Sequence, residues 1–294
     1  MANQINEATA MQLFDTEVTL KYQNNMKLMD TVDERHGTKG TTLNVPVSDL
    51  IEMDEGNFAP TDIPISPVNE TNRQVVTKDF HVKTAIGGGE KTLFNFDKIV
   101  DHAKLHALAA ARMTDFIKIN AIFSDAGVGT INVIPSTTGV NTSLNEGKMA
   151  AGISYLESQG VDVQDYSVSV WSPALLKEGF YDDDKVVNFF YNDVKPLTDN
   201  KIRGYLGCDM RFLGSNGINQ IPFTSSLGVN TYLVPMVHRD AIVQSFNRDV
   251  STSITWLPQQ DRWELLTILT SGALIIQYNG IVFLTCKNPF TENA

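Results

Sequence analysis

Apolar positions are most regular between Asn95 and Phe123, where Phe96, Val100, Ala103, Ala107, Ala110, Met113, Ile117 and Ala121 recur every three or four residues. That spacing puts them on one stripe of an α-helix, and Lys98, Asp101, Lys104, Arg112, Asp115 and Lys118 fall off it. The stretch contains neither Gly nor Pro. Asn95 can accept a hydrogen bond from a first-turn N–H, and Asp97 suits the positive end of the helix dipole. At 1.5 Å per residue the helix would be about 42 Å long, more than the width of many small domains, so the pattern predicts a spine.

Other patterns flank this helix. Residues 5–23 carry a loose stripe of Ile5, Ala8, Met11 or Leu13, Phe14, Val18 and Tyr22, which suits either a surface helix on its own domain or an arm reaching to a neighbour. From Gly37 alternation takes over, with β-formers from Thr42 to Val47 and a second extended run from Arg73 to Ile86. Between them, residues 48–72 contain Pro60, Pro64 and Pro67 and almost no periodicity. Loops beyond about 12–15 residues are uncommon in compact domains, so this segment is expected to lie on something other than its own body.

Downstream, Ser143 and Glu146 have the spacing of a capping box for a helix with Ala150, Ile153, Tyr155 and Leu156 on its apolar side and Gly160 at its end. Tyr166–Trp171 alternates as a strand, Pro173 opens a short helix, and Ile202–Ser215 reads as strands broken by glycines. Further strands are expected at Tyr232–Met236, Ser253–Trp256, Trp263–Leu269 and Gly280–Cys286, with residues 238–246 as helix or strand. The sum is an α+β chain with one long helix and one long hairpin.

A length of 294 residues permits a substantial core in two lobes, and 42% hydrophobic with 19% charged residues is the composition of a folded chain. A net charge of -11 argues against tight binding to a phosphate backbone. The acids are unevenly spread. From Gly40 to Asn72 there is no Lys or Arg, while Asp49, Glu52, Asp54, Glu55, Asp62 and Glu70 are all present. Such a hairpin is either solvated or docks on a basic surface of another copy, and Lys98, Lys104, Arg112 and Lys118 on the polar side of the spine are the candidates to receive it. Cys208 and Cys286 are far apart and outside any CxxC pair, which predicts buried free thiols of a reducing compartment. The N-terminus lacks a basic region followed by an apolar run, and no stretch approaches eighteen apolar residues, so neither a classical export signal nor a membrane span is expected.

Candidate chemistry is sparse. Residues 85–94, AIGGGEKTLF, imitate a phosphate-binding loop, but Glu90 stands where Gly must precede the Lys, and its carboxylate would repel phosphate. Gly87, Gly88 and Gly89 read better as a hinge at the base of the hairpin. His102 and His106 sit at i and i+4, yet Ala103 replaces the Glu of an HExxH site and no third ligand is evident, so surface histidines are expected. Asp182, Asp183 and Asp184 are consecutive, unlike the alternating ligands of a calcium loop. No GxSxG elbow frames a nucleophile. Neither a catalytic mechanism nor a cofactor is expected.

The order of features resembles the major capsid protein of tailed bacteriophages, with the Hong Kong phage capsid fold: an N-terminal arm, a long hairpin, a glycine hinge, a spine helix, then a mixed lobe ending in strands. Residues 202–216, IRGYLGCDMRFLGSN, look like the family's strand entering its central lobe, and residues 234–246 with the strands up to 280–286 look like its C-terminal portion. The resemblance implies an N-terminal arm at 1–35, an extended hairpin at 36–91, a peripheral domain at 92–140 with the spine helix at 95–123, an axial domain at 141–245, and C-terminal strands at 246–294 shared between the two. It implies a virion shell subunit, assembled in the host bacterial cytoplasm, that associates with itself in hexamers and pentamers and lays its hairpin over a neighbour. A portal, a decoration protein and weakly contacted packaged DNA would be further partners.

Two departures qualify that picture. Some members weld the shell through a Lys on the hairpin; residues 40–72 have none, so cross-linking at its tip is not expected. Others carry a large scaffolding segment that a protease removes. Here the arm begins within a few residues of Met1, so a separate scaffolding protein is expected. The alternatives are a nucleotide-binding enzyme built on residues 85–94, or another phage structural protein forming a ring or tube.

Overall fold

A computed structural model of the chain describes residues 7–48, 70–87, 97–125, 129, 131–138, 142–163, 166–177, 204–214 and 231–287. Two helices and a four-stranded sheet form one layered lobe. Helix α1 (Glu7–Asn25) lies against the spine helix α2 (Asp97–Ser124). Behind them is a sheet in the order β1 (Asp33–His36), β10 (Ile242–Leu257), β11 (Arg262–Ile275), β4 (Lys78–Gly87). Of the predicted stripe, Ala103, Ala107, Ala110, Ile117 and Ala121 are buried, Val100 and Met113 are half-buried, and Phe96 lies outside the described residues. Ala111, Ile119 and Ile122 are buried as well. The helix is therefore covered on more than one side, by the sheet and by α1, and the single-stripe reading understates its burial. Asn95, the expected cap, lies outside the described residues.

Helix α1 uses Phe14 and Val18 to reach a cluster with Ala103, Ala107, Ile86 and Leu265. Of the two sequence readings it follows the first, packing on its own chain. Met11, which the stripe included, is 41% exposed.

The second lobe is a six-stranded sheet in the order β5 (Asn132–Ile134), β12 (Ile281–Lys287), β9 (Thr231–His238), β6 (Val168–Pro173), β8 (Cys208–Leu213), β7 (Gly204–Tyr205). Strand β6 is buried at every position, as a central strand covered on both faces must be. Helix α3 (Glu146–Ser158) packs on this sheet, burying Met149, Gly152 and Leu156. Its N-cap is Asn145, whose Oδ1 accepts from Lys148 N at 2.9 Å, and not Ser143 as the capping-box spacing suggested. Ala150 is exposed, against expectation. Gly160 ends the helix region with φ +76°, as read from the sequence. Both thiols are free and buried in this lobe.

One strand is longer than its pattern predicts. Residues 242–257 form a continuous sixteen-residue β10, where separate elements were expected at 238–246 and 253–256. The ladder to β11 shifts register between Phe246 and Arg248 and again before Ser251. Such irregularities break the two-residue period, and the polar run NRDVSTS at 247–253 hides the strand from pattern reading.

The hairpin forms a third, two-stranded sheet. Strand β2 (Thr42–Ser48) pairs antiparallel with β3 (Glu70–Val76), from Thr42 opposite Val76 to Ser48 opposite Glu70. The single run predicted from Arg73 to Ile86 is cut at Thr77, after which β4 joins the other sheet against β11. At that crossing the backbones come so close that a methyl group on Gly272 would collide with the Val76 carbonyl oxygen. Only glycine lets β3 pass there.

Candidate assembly surfaces

The hairpin leaves the body from a firm root. Val45 and Val75 are buried against Val243 and Ile276. Arg73 donates from Nη1 to the Ile275 carbonyl at 2.9 Å, and its guanidinium lies 4.6 Å from the Tyr278 ring centroid. Thr77 donates its backbone N–H to the Thr41 carbonyl at 2.9 Å, and Asn247 Nδ2 donates to the Gly40 carbonyl at 2.9 Å. The paired strands thus bind to their own chain at the base, and of the segment 48–72 expected to lie on another body, residues 49–69 lie outside the described residues. Of the six acids, Glu70 is exposed at the end of the ladder. Asp49, Glu52, Asp54, Glu55 and Asp62 lie outside the described residues. Of the hinge glycines, Gly87 ends β4 opposite Arg262, and Gly88 and Gly89 lie outside the described residues.

The basic candidates separate into two groups. Lys104 and Arg112 are exposed on α2, and Lys98 is half-buried. Lys104 Nζ is 3.2 Å from Asp101 Oδ1, an exposed pair on the same helix that contributes little by itself. Arg112 lines a cavity of about 460 Å³ between α2 and strands β4 and β11, with Asp79, His81, Met113 and Leu269.

Lys118, expected on that basic surface, is internal. Its side chain is 0% exposed, donating from Nζ to the Leu28 carbonyl at 2.6 Å and pairing with Glu34 Oε1 at 2.5 Å. One turn earlier, the Asp115 carboxylate accepts the backbone N–H groups of Lys27 and Leu28 at 3.2 and 3.1 Å. Burial holds the Asp115 carboxyl above its usual range, although those N–H groups and Lys118 act the other way. The "polar side" of the spine is thus partly an internal seat for residues 26–34. A buried charge paired in this way is indistinguishable in sequence from a surface charge.

Other polar groups missed by pattern reading are also internal. His106 is fully buried, not a surface residue, with its ring nitrogens 2.8 Å from Thr84 Oγ1 and 2.9 Å from Thr267 Oγ1. Lys148 Nζ donates to the carbonyls of Thr142 and Ser143, at 2.6 and 2.5 Å, and burial lowers its pKa. The charged run at 182–184 and most of the glycine-rich stretch at 85–94 lie outside the described residues. Among the described residues no three His, Cys, Asp or Glu side chains gather as a metal site, and no helix is long and apolar enough to cross a membrane.

This architecture has many counterparts. The capsid of cyanophage P-SCSP1u superposes with a TM-score of 0.63 at 10% identity, over 88% of this chain and 87% of that one. The capsid of Ralstonia phage GP4 gives 0.63 at 7% identity over 88% and 87%. A virus-like particle from Pyrococcus furiosus gives 0.58 at 12% identity over 93% and 98%. At these identities the likeness establishes the fold, the Hong Kong phage-type capsid fold. No curated protein matches the chain. A family model described as phage capsid protein matches residues 5–288. That match sets aside the nucleotide-binding and the ring-or-tube alternatives. With nearly its whole length inside that match and the fold to accompany it, the chain belongs to the phage capsid protein family and is a self-assembling structural subunit of the icosahedral virion shell.

Proposed function

We propose that the acidic tip of the β2–β3 hairpin docks on a neighbouring subunit and sets the register of the shell. The observation that supports this reading is the combination of a fixed root and a one-signed tip. Val45, Val75 and Arg73 tie the paired strands to the body, while residues 49–69 carry Asp49, Glu52, Asp54, Glu55 and Asp62 and no Lys or Arg. A rigid root aims the segment, and charge selects partner and orientation more than it adds affinity. Lys104 and Arg112, exposed on α2, are the receiving candidates that the burial of Lys118 leaves best placed, with half-buried Lys98 beside them.

In this reading residues 92–140 and the four-stranded sheet act as the peripheral domain, and residues 141–245 as the axial domain that meets its copies in hexamers and pentamers. Residues 246–294 serve both. Heterologous contacts that close by rotation make such rings, and each weak contact gains from the others made by the same subunit. A separate scaffolding protein, a portal and a decoration protein are the partners of this assembly, which takes place in the host cytoplasm. Contact with packaged DNA is weak because the chain carries a net charge of -11.

The test is Asp54→Lys with Glu55→Lys. Particle yield and particle melting temperature are expected to fall, and a further Arg112→Glu exchange is expected to recover part of the loss. Unchanged yield and melting in the double variant would refute charged docking.

A further inference from the structure

His106 occupies the point where α1, α2 and the four-stranded sheet meet. Its Nε2 lies 2.8 Å from Thr84 Oγ1 on β4 and its Nδ1 lies 2.9 Å from Thr267 Oγ1 on β11. Thr84 Oγ1 is also 3.0 Å from Nδ1 of His102, one turn earlier on α2. From α1, Phe14 closes the site edge-on, with ring centroids 5.5 Å apart. The result is a chain of four polar groups joining three elements, with His106 and Thr267 buried and His102 and Thr84 half-buried.

Neutral imidazoles can satisfy this chain completely. His102 Nδ1–H donates to Thr84 Oγ1, the Thr84 hydroxyl donates to His106 Nε2, and His106 Nδ1–H donates to Thr267. The reverse direction works equally well. A protonated His106 ring donates from both nitrogens, to Thr84 Oγ1 and Thr267 Oγ1, and carries a positive charge at a position that is 0% exposed. Among the described residues no acidic group offsets the charge. The elements packed on the ring offer Phe14 from α1, Thr84 from β4 and Thr267 from β11, and the charged group that acts on it from its own helix is His102. The neighbouring charges are committed elsewhere: Lys83 of β4 to Glu264 of β11, and Asp101 to Lys104 at the helix surface.

We propose that His106, Thr84 and Thr267 form an acid-opened joint, in which a proton taken up by the His106 ring places an unpaired charge where α2, and α1 with it, is fastened to the four-stranded sheet, and loosens that attachment. Burial first, and the charge of His102 second, lower the His106 pKa from 6.5 to about 4. Because the folded value lies below the unfolded one, the stability contributed by the neutral ring is complete above pH 6.5 and is lost progressively as pH falls from 6.5 to about 4. The shell lobe is thus locked at neutral pH and released by acid. This proposal stands apart from hairpin docking, since every group in it belongs to one chain.

Hydrogen exchange on assembled particles between pH 6.5 and pH 4, corrected for the intrinsic pH dependence of exchange, reads the joint directly. Exchange in peptides from residues 7–25 and 97–124 is expected to rise at least tenfold, while peptides from β9 and β12 stay unchanged. His106→Gln, which cannot acquire the charge, is expected to abolish the rise. An equal rise in His106→Gln, or an equal rise in both lobes, would overturn the proposal. If that variant does not form particles, magic-angle-spinning NMR of histidine-labelled wild-type particles decides the question, with the His106 ring assigned through its contact with Phe14. Titration of that ring together with the exchange midpoint upholds the joint; titration near pH 6.5, or independently of exchange, overturns it.

Discussion

Lys118→Met tests the polar seat under the spine helix. The substitution keeps the length of the side chain and removes its charge, at a position that is 0% exposed. Taking one partner from a buried ion pair costs about 3–5 kcal/mol, because the other charge stays behind unpaired. Glu34 keeps 16% of its side chain in solvent, which argues for the lower end, about 3 kcal/mol. The Leu28 carbonyl also loses its donor at 2.6 Å, adding about 1 kcal/mol. With an unfolding entropy of about 2.1 cal/mol/K per residue, 294 residues give about 0.6 kcal/mol per degree, so a loss of about 4 kcal/mol lowers the melting temperature by about 6 °C. Calorimetry on free subunits of the wild type, Lys118→Met, Glu34→Gln and the double variant closes the cycle. The double variant is expected to melt well above the sum of the two losses, with a coupling of about 2 kcal/mol. A melting temperature for Lys118→Met within a degree of the wild type, or strictly additive single losses, would refute the idea that the pair holds residues 28–34 to the helix.

Two other expectations follow from close contacts and burial. Gly272→Ala drives a methyl group into the Val76 carbonyl, so the hairpin root must shift; a loss of about 2–3 kcal/mol and a lower particle yield are expected, and wild-type melting and yield would contradict this. Burial raises the thiol pKa of Cys208 and of Cys286 to about 12, so neither is expected to react with a thiol reagent at pH 8 until denaturant is added, and rapid labelling of the native subunit would show that this core opens.

Much of the frame is legible in the sequence because it rests on period. The stripe from Ala103 to Ala121 places the spine, and the alternation around Val45 and Val75 places the hairpin strands. What remained hidden depends on contacts between distant residues. Lys118 reads as surface because nothing local reveals Glu34 and Leu28 waiting to receive it across 84 and 90 residues of chain. His106 reads as surface because its partners Thr84 and Thr267 come from two strands of a sheet that the helix covers. The N-cap is Asn145, not Ser143, because Glu146 already begins the helix and the residue before it has an extended backbone and a side-chain Oδ1 that reaches the Lys148 N–H. Charge patterning alone overstated the basic face of α2 by one residue, the one whose burial tertiary structure determines.

The two sheets meet where the chain crosses between them twice. After β9 it crosses through Arg239–Ala241 into β10, and after β11 it returns through Tyr278–Gly280 into β12. The crossings touch: Ile276 N–H and Gln277 N–H both reach the Ala241 carbonyl, at 2.8 and 3.2 Å, and a side chain on Gly280 would press into Ala241. Tension carried around a closed container must run through every building block from end to end, and here two crossings clasped side by side share that load with the apolar cluster of Ile119, Ile122, Trp171, Val237 and Phe283 that joins the lobes. Strain arriving at one sheet is therefore handed to the other through close-packed side chains as well as through the backbone.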